Sequence, residues 1–386
     1  MNYLIVSPAF PPFSGVGAMR AYSLANYLEE TGNQVYVIRN SVSSWGVDNC
    51  KSTCNSFEKI VDVDIDCSFE EAARKYTEVI SSVLENTRID VIIYSCSPYY
   101  IAKSAVEVKK QFGVKTVVDF RDLWIDDEFL TRNILKRILK FIKKIPYWRD
   151  EYRTVKYADL VLTVTPLDCK VLRRKYSRYS DKIECVLNGY DSKRALKEHK
   201  KYEGDLPQNY IGVFGKFGYY DLYYATQMLK AVKKYNETSP EPLKIVHIGA
   251  VDKTTKKALR KAQVDLETYI NVGYQEYSVG MDIIKNAKAN CLIAHYKRGL
   301  GTKVFDYIYA DRPIIYFVPK GSSIHRILSE GKNAHLCKDS NSAMRALGLI
   351  ECQAQSELGF DSKQEYSREE RNKEYEELME RMMMNV

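Results

Sequence analysis

The sequence predicts an α/β chain of two domains, each a parallel sheet wrapped by helices on both faces. Three observations carry this. Short apolar segments rich in β-branched residues alternate with helical patterns almost throughout. The alternation breaks once, at the polar, lysine-rich stretch 192–206, and then begins again. A length of 386 residues is also enough for two domains of ordinary size.

In chain order, Tyr3 to Ser7 is predicted as a buried strand, Ala18 to Thr31 as a helix ended by Gly32, and Gln34 to Arg39 as the next strand. Residues 69–87 are predicted helical. Val91 to Tyr94, Thr116 to Val118 and Leu160 to Val164 are short apolar strands with helices between them. The second series has strands at Tyr210 to Phe214, Lys244 to Ile248, Ile270 to Val272, Asn290 to Ala294 and Pro313 to Val318. Residues 364–384 form a charged helix at the C-terminus. The expected organisation is a first domain at 1–191, a linker at 192–206, a second domain at 207–362 and a terminal segment at 363–386. No short-period repeat is present.

Hydrophobic residues make up 45% and charged residues 28% of the chain, the balance of a soluble globular protein. No apolar run reaches the roughly 18–20 residues a spanning helix needs. Met1 to Ser7 leads directly into a strand without the basic segment and cleavage site of a signal peptide. The nine cysteines are scattered; Cys50 and Cys54 lie close together, but no second pair completes a zinc site. Free thiols in a cytoplasmic protein are expected. Nothing in the motifs points to nucleic acid. The net charge of +8 is localised: residues 1–128 carry 12 Lys/Arg against 18 Asp/Glu, and residues 129–191 carry 15 against 7. That concentration implies an anionic partner on one face.

The most informative stretch is Gly299-Leu300-Gly301-Thr302-Lys303-Val304-Phe305-Asp306-Tyr307, closed by Asp311-Arg312-Pro313-Ile314-Ile315. A glycine-bearing loop enters a helix, and a buried strand follows. Unpaired N–H groups and the dipole at a helix N-terminus suit phosphate. Lys303 adds a full charge. Asp306, one turn on, presents a carboxylate suited to a ribose diol. The alternative is an ordinary loop–helix–strand unit.

Gly301-Thr302-Lys303-Val304-Phe305-Asp306-Tyr307-Ile308 followed by Arg312-Pro313-Ile314 resembles the G-x-K-x-F-E-Y-L … K-P-I segment of GT-B glycosyltransferases, more narrowly the family-four retaining enzymes that use nucleotide sugars. Pro11-Pro12 with Gly15 and Gly17 resembles that family's N-terminal loop. Asp119-Phe120-Arg121-Asp122-Leu123-Trp124 resembles the D-x-R-D-x-W segment of members that build bacterial surface polysaccharides such as O-antigen or capsule. Ala158-Asp159 through Val164, then Asn188-Gly189-Tyr190-Asp191, resemble the close of the first domain. The resemblance spans about residues 3 to 336. It implies two facing Rossmann-like domains with the last helix returning to the first, a nucleoside-diphosphate sugar as co-substrate with no other cofactor, and retention at the anomeric carbon.

Gly15 and Gly17, after the first strand, allow close backbone approach and positive φ; a plain strand-to-helix turn is the alternative. Gly215 and Lys216 open the second domain in the same way, to approach and neutralise a diphosphate, although Lys216 is equally a solvated loop lysine. Tyr274 stands where the family contacts the base. Arg298 and Asp306 occupy the positions of the family's paired glutamates. Arginine reverses the first charge and is suited to a pyrophosphate, which puts the carry-over of the first carboxylate's role in doubt. Asp119, Arg121 and Asp122 are the acceptor-side catalytic candidates; Asp122 is alternatively a helix cap paired with Arg121. Asp62-Val63-Asp64-Ile65-Asp66 contains D-x-D, but an acidic turn or strand is the favoured reading and no catalytic metal is expected.

Residues 130–145 form a basic amphipathic pattern. Leu130, Ile134, Leu135, Ile138, Leu139, Phe141, Ile142 and Ile145 fill one half of the wheel. Arg132, Lys136, Arg137, Lys140, Lys143 and Lys144 fill the other, and Tyr147 and Trp148 follow. Such a helix lies flat on an anionic bilayer; the alternative is packing on its own domain. The expected protein is therefore a cytoplasmic glycosyltransferase on the inner membrane face, acting on a saccharide acceptor carried by lipid. The rivals are a nucleotide-sugar epimerase of the same fold, which needs a histidine and carboxylates at the sugar, and a non-catalytic binding subunit.

Overall fold

A computed structural model describes residues 1–13, 15–45, 57, 59–123, 125, 147–193, 200–352, 359–361 and 363–384. The chain divides into two compact units. The first is Met1–Asn188 with Glu369–Val386, and the second is Gly189–Arg368.

Unit 1 is built on seven parallel strands: β1 (Asn2–Val6), β2 (Gln34–Asn40), β3 (Ile60–Val63), β4 (Val91–Cys96), β5 (Lys115–Phe120), β6 (Leu160–Thr163) and β7 (Ile183–Cys185), in the order β3-β2-β1-β4-β5-β6-β7. Strands β1, β4 and β6 are apolar on both faces because both faces are covered. Leu4, Val6, Ile92 and Tyr94 face the helices Phe69–Asn86 and Tyr100–Phe112. Tyr3, Ile5, Val91 and Ile93 face the helix Val16–Glu30 and the last helix, Arg368–Met384. That last helix is held by Tyr375, Leu378, Met379 and Met382, one face at helical spacing. Its Asn372 amide donates to Ser23 O and Ser23 Oγ at 3.1 and 2.9 Å.

Unit 2 has six parallel strands: β8 (Tyr210–Phe214), β9 (Lys244–Ile248), β10 (Tyr269–Gly273), β11 (Ala289–Ile293), β12 (Ile314–Phe317) and β13 (Ala334–Leu336), in the order β10-β9-β8-β11-β12-β13. The helices Leu222–Thr238, Lys253–Ala262 and Ser340–Glu351 cover one face. The helices Tyr277–Asn286 and Lys303–Ala310 cover the other. Residues 189–193 and 200–206 belong to this unit, and Lys200 pairs with Glu276 at 2.8 Å. Gly189 is required where the chain enters: a Cβ there would lie 2.7 Å from Tyr366 O.

Both sheets reverse strand order beside their first strand, between β1 and β4 and between β8 and β11. In such sheets ligands bind beyond the carboxyl ends of the strands at this switch point. Three short strands escaped prediction. β3 is four residues at a sheet edge with Asp62 among Ile60, Val61 and Val63, and β7 and β13 are three residues each, too short for a period to register.

Candidate functional site

In unit 2 the loops after β8 and β11 flank the switch point. The first carries Gly215 and Lys216. Gly215 adopts φ 95, which glycine tolerates and other residues rarely adopt. Its N–H donates to Ile248 O at 2.8 Å. Space confirms the need for glycine, because a Cβ at position 215 would meet Lys303 Cε at 3.2 Å.

Lys303 opens the helix Lys303–Ala310 and reaches back over this loop. Its ammonium lies 3.5 Å from the centroid of the Phe214 ring and 3.5 Å from Asp306 Oδ2. Asp306 is buried, and Tyr277 donates to its Oδ1 at 2.7 Å. Burial, then the Asp306 carboxylate, pushes the Tyr277 phenol well above its usual range, so it stays a donor. Tyr307 braces the assembly from below. Its hydroxyl accepts from Phe214 N at 2.8 Å and donates to Cys291 O at 3.1 Å. Tyr307 is the tyrosine of the G-x-K-x-F-E-Y-L-like segment, where it had no assigned role of its own, and Tyr277 is found only by contact.

Lys216 is exposed, with its ammonium 3.8 Å from the Tyr219 ring centroid. Gly301 is exposed, Thr302 is the residue before the helix, and Val304 N donates to Gly301 O at 3.4 Å. Arg298 is half-buried, and its carbonyl accepts from Ser323 Oγ at 2.6 Å, which fastens the β11 loop to the start of the helix Ser323–Leu328. Tyr274 follows β10 with 87% of its surface exposed. Of the donor-side candidates, the structure therefore gathers Gly215, Lys303 and Asp306 at one point.

In unit 1 the acceptor-side candidates do converge at the carboxyl end of β5, but most of their bonding capacity is internal. Asp119 is buried and makes a two-point ion pair with Arg20, at 2.7 and 3.2 Å. Arg20 also donates to Leu187 O at 3.0 Å, and its guanidinium carbon lies 5.8 Å from the Tyr375 ring centroid. Burial opposes the Arg20 charge, and Asp119 outweighs it. Arg121 donates to three backbone carbonyls, those of Gly17, Ser97 and Cys96. Ser97 sits at φ 143, and the Arg121 bond holds it there. Asp122 is the exposed member of the trio, and its backbone carbonyl accepts from Tyr99 Oη at 2.7 Å.

The expectation of positive φ at Gly15 and Gly17 is corrected. Gly15 has φ −68, and neither residue is among the positive-φ glycines. Both are needed for space. A Cβ at 17 would lie 2.7 Å from Arg121 Nη1, and one at 15 would lie 2.3 Å from the Phe13 ring. The same loop is tied down from β2, where Arg39 donates to Pro11 O and to Asp62 Oδ1, the latter at 2.7 Å. The three aspartates of the D-x-D stretch thus separate: Asp62 pairs with Arg39, Asp64 accepts from the Ser41 and Ser43 hydroxyls, and Asp66 lies 3.5 Å from Lys75. No group of metal-binding side chains forms among the described residues.

The basic amphipathic segment, with Lys136, Arg137, Lys140, Lys143 and Lys144, lies outside the described residues. Trp148 just beyond it is 44% exposed, with the Lys175 ammonium 5.3 Å from its ring. No helix among the described residues is long and apolar enough to cross a membrane. His247 is fully buried with protein partners on both ring nitrogens.

Comparison with known proteins agrees with this fold. Residues 17–194 match the model of Glycosyltransferase Family 4. No curated protein sequence matches the chain. Among solved structures, a glycosyltransferase from Rickettsia africae superposes with a TM-score of 0.66 at 13% identity, covering 100% of this chain and 99% of that one. Anabaena HepE in complex with UDP gives 0.64 at 10% identity, over 98% and 100% of the two chains. The UDP-GlcNAc 2-epimerase from Methanocaldococcus jannaschii gives 0.64 at 11%, over 98% and 99%. The chain thus has the GT-B fold, and its match to the Glycosyltransferase Family 4 model lies in unit 1 and the first residues of unit 2.

Proposed function

We propose that this protein moves a sugar from a nucleoside diphosphate to a saccharide acceptor, with unit 2 holding the donor. One observation carries the reading: Lys303, paired with a buried Asp306 and lying over Gly215, stands at the switch point of the second sheet. A diphosphate there meets the ammonium of Lys303, that of Lys216 and the N-terminus of the helix Lys303–Ala310. The departing diphosphate is the group on which negative charge develops, so these cations stabilise the transition state more than the ground state. Both ammoniums rest on aromatic rings. Such contacts contribute only about 0.5–2 kcal/mol and yield readily to a phosphate.

In unit 1 the exposed Asp122 is the acceptor-side group that would orient a hydroxyl or take its proton. Asp119 and Arg121 shape the loops around it. The likeness to family four supports retention and a nucleotide-sugar donor. The D-x-R-D-x-W likeness supports polysaccharide assembly in a bacterial cytoplasm. The +8 charge of residues 129–191 with the exposed Trp148 supports an anionic membrane surface and a lipid-linked acceptor.

The test is a thermal-shift screen against UDP-, GDP-, ADP- and dTDP-sugars, followed by a transfer assay with soluble and lipid-linked saccharides. Stabilisation by one nucleotide class and transfer of its sugar are expected. Interconversion of donor sugars without an acceptor would establish the epimerase instead. Binding with neither reaction would establish a non-catalytic subunit.

A further inference from the structure

We propose that His247 is a positioning residue for the donor site: it holds the Gly215 peptide so that the next backbone N–H, that of Lys216, faces the diphosphate. This rests on the donor reading of unit 2 given above. His247 lies on β9, in register with Val213 of β8 and Asn271 of β10, and is fully buried. A histidine among apolar neighbours is costly unless both ring nitrogens are satisfied. Here they are. Nε2 faces the carbonyl of Gly215, and Nδ1 lies 2.5 Å from Tyr269 Oη.

The partners settle the tautomer. A carbonyl only accepts, so Nε2 carries the hydrogen. Nδ1 is then the acceptor, and the Tyr269 hydroxyl donates to it. Asn271 completes the bracket, donating from Nδ2 to His247 O at 3.0 Å and to Gly249 O at 2.8 Å. Burial holds the imidazole below its usual range, which keeps it neutral.

Peptide planarity turns this buried bond into a feature of the site. The C=O of Gly215 and the N–H of Lys216 belong to one planar trans unit and point in opposite directions. With the carbonyl drawn inward to His247, the Lys216 N–H turns the opposite way, away from the buried ring. Gly215 at φ 95 makes this orientation accessible, and its own N–H is taken by Ile248 O. A flipped peptide would aim a carbonyl at the diphosphate. His247 thus acts on the ligand only through the backbone of the loop.

Three measurements test this. Long-range ¹H–¹⁵N correlation on the wild-type protein should show the Nε2-protonated tautomer at His247; an Nδ1-protonated ring overturns the proposal without any variant. Hydrogen exchange of free protein over 214–218 should quicken in His247→Ala and return toward wild type in His247→Gln, whose amide replaces the Nε2 donor. Calorimetry with UDP, GDP, ADP and dTDP and their parent nucleosides should show His247→Ala weakening the diphosphate that binds by about tenfold or more. The parent nucleoside should be unaffected, and His247→Gln should recover most of the loss. Tyr269→Phe should give a smaller loss of the same kind. Equal losses in the Ala and Gln variants, or a loss shared by the nucleoside, would mean that His247 only fills space. If no nucleoside diphosphate binds the wild type, the donor reading fails, while the tautomer and exchange results still decide whether His247 holds the loop.

Discussion

The two units solve one construction problem with different chemistry. Each must fix a glycine-bearing loop at the carboxyl end of its first strand. Unit 1 does it with arginines: Arg39 and Arg121 hold loop carbonyls, and Arg20 is sealed against Asp119 with side chains only 10% and 3% exposed. Unit 2 does it with the neutral His247. Its cations, Lys216 and Lys303, stay at the surface on aromatic rings, and Lys303 keeps 33% of its side chain exposed. A charge committed to the fold is not available to a ligand, so on the proposed reading it is the cations of unit 2 that would meet a diphosphate. The histidines follow the same division, since all five lie between residues 199 and 335, within unit 2.

The largest expected effect tests the sealed pair. Asp119→Ala leaves the Arg20 charge buried and unpaired, which should cost about 3–5 kcal/mol of unit 1 stability. Urea unfolding should show the loss, while nucleotide binding by whatever protein remains folded stays near wild type. A mild effect would mean that the pair is not sealed and the contrast between the units is weaker than drawn.

Next come the donor-side cation and its partner. Lys303→Ala and Asp306→Asn should each weaken nucleoside-diphosphate binding, Lys303→Ala by about 1.5–3 kcal/mol, with little change in melting temperature. Unchanged affinity in both variants, measured by calorimetry, would remove the donor assignment.

Gly17→Ala puts a methyl group against Arg121. Displacing the guanidinium should cost about 1–3 kcal/mol, read in the unfolding of unit 1. The equivalent change at Gly32, where a Cβ meets nothing within 4 Å, involves no such clash and serves as a control for backbone strain at its φ of 86.

The pH dependence should separate the units more gently. Burial lowers the pKa of His247, His325 and His335 in the folded state. Below about pH 6.5 the unfolded chain takes up protons that the folded unit 2 refuses, so its stability falls as pH falls. The slope is at most about 1.4 kcal/mol per pH unit for a fully buried histidine. Unit 1 contributes no histidine to this effect. Hydrogen exchange mapped to each unit between pH 7.5 and 5.5 should show unit 2 loosening first; equal loosening would cancel the contrast.

The smallest expected effect is none at all. The proposed transferase activity should survive EDTA, because on that reading Lys216, Lys303 and a helix N-terminus would face the diphosphate. Activity lost with chelator and restored by Mg²⁺ or Mn²⁺ would show that the lysines do not suffice.

Much of the proposed donor end is legible in the sequence because it is local. Gly301, Thr302, Lys303 and Asp306 lie within one turn of a helix start, and helical spacing alone puts Lys303 beside Asp306. The acceptor end was less legible. Asp119-Phe120-Arg121-Asp122 reads as three chemical groups in a row, but strand geometry and distant partners separate them. Asp119 meets Arg20 across 99 residues, and Arg121 meets Gly17 across 104. The buried His247 gave little sign of its role, because its partners Gly215 and Tyr269 stand 32 and 22 residues away, in the loop after β8 and on β10.

The sequence by itself determined that there are two parallel α/β sheets and where most of their strands run. Strands covered on both faces must be apolar at every position, and that signal is carried by adjacent residues. Only the tertiary structure decided the strand order, and with it which groups meet. Crossovers bring residues far apart in sequence to one strand end, where burial decides whether a charge is neutralised by its own protein, as at Asp119, or left in reach of a ligand, as at Lys303.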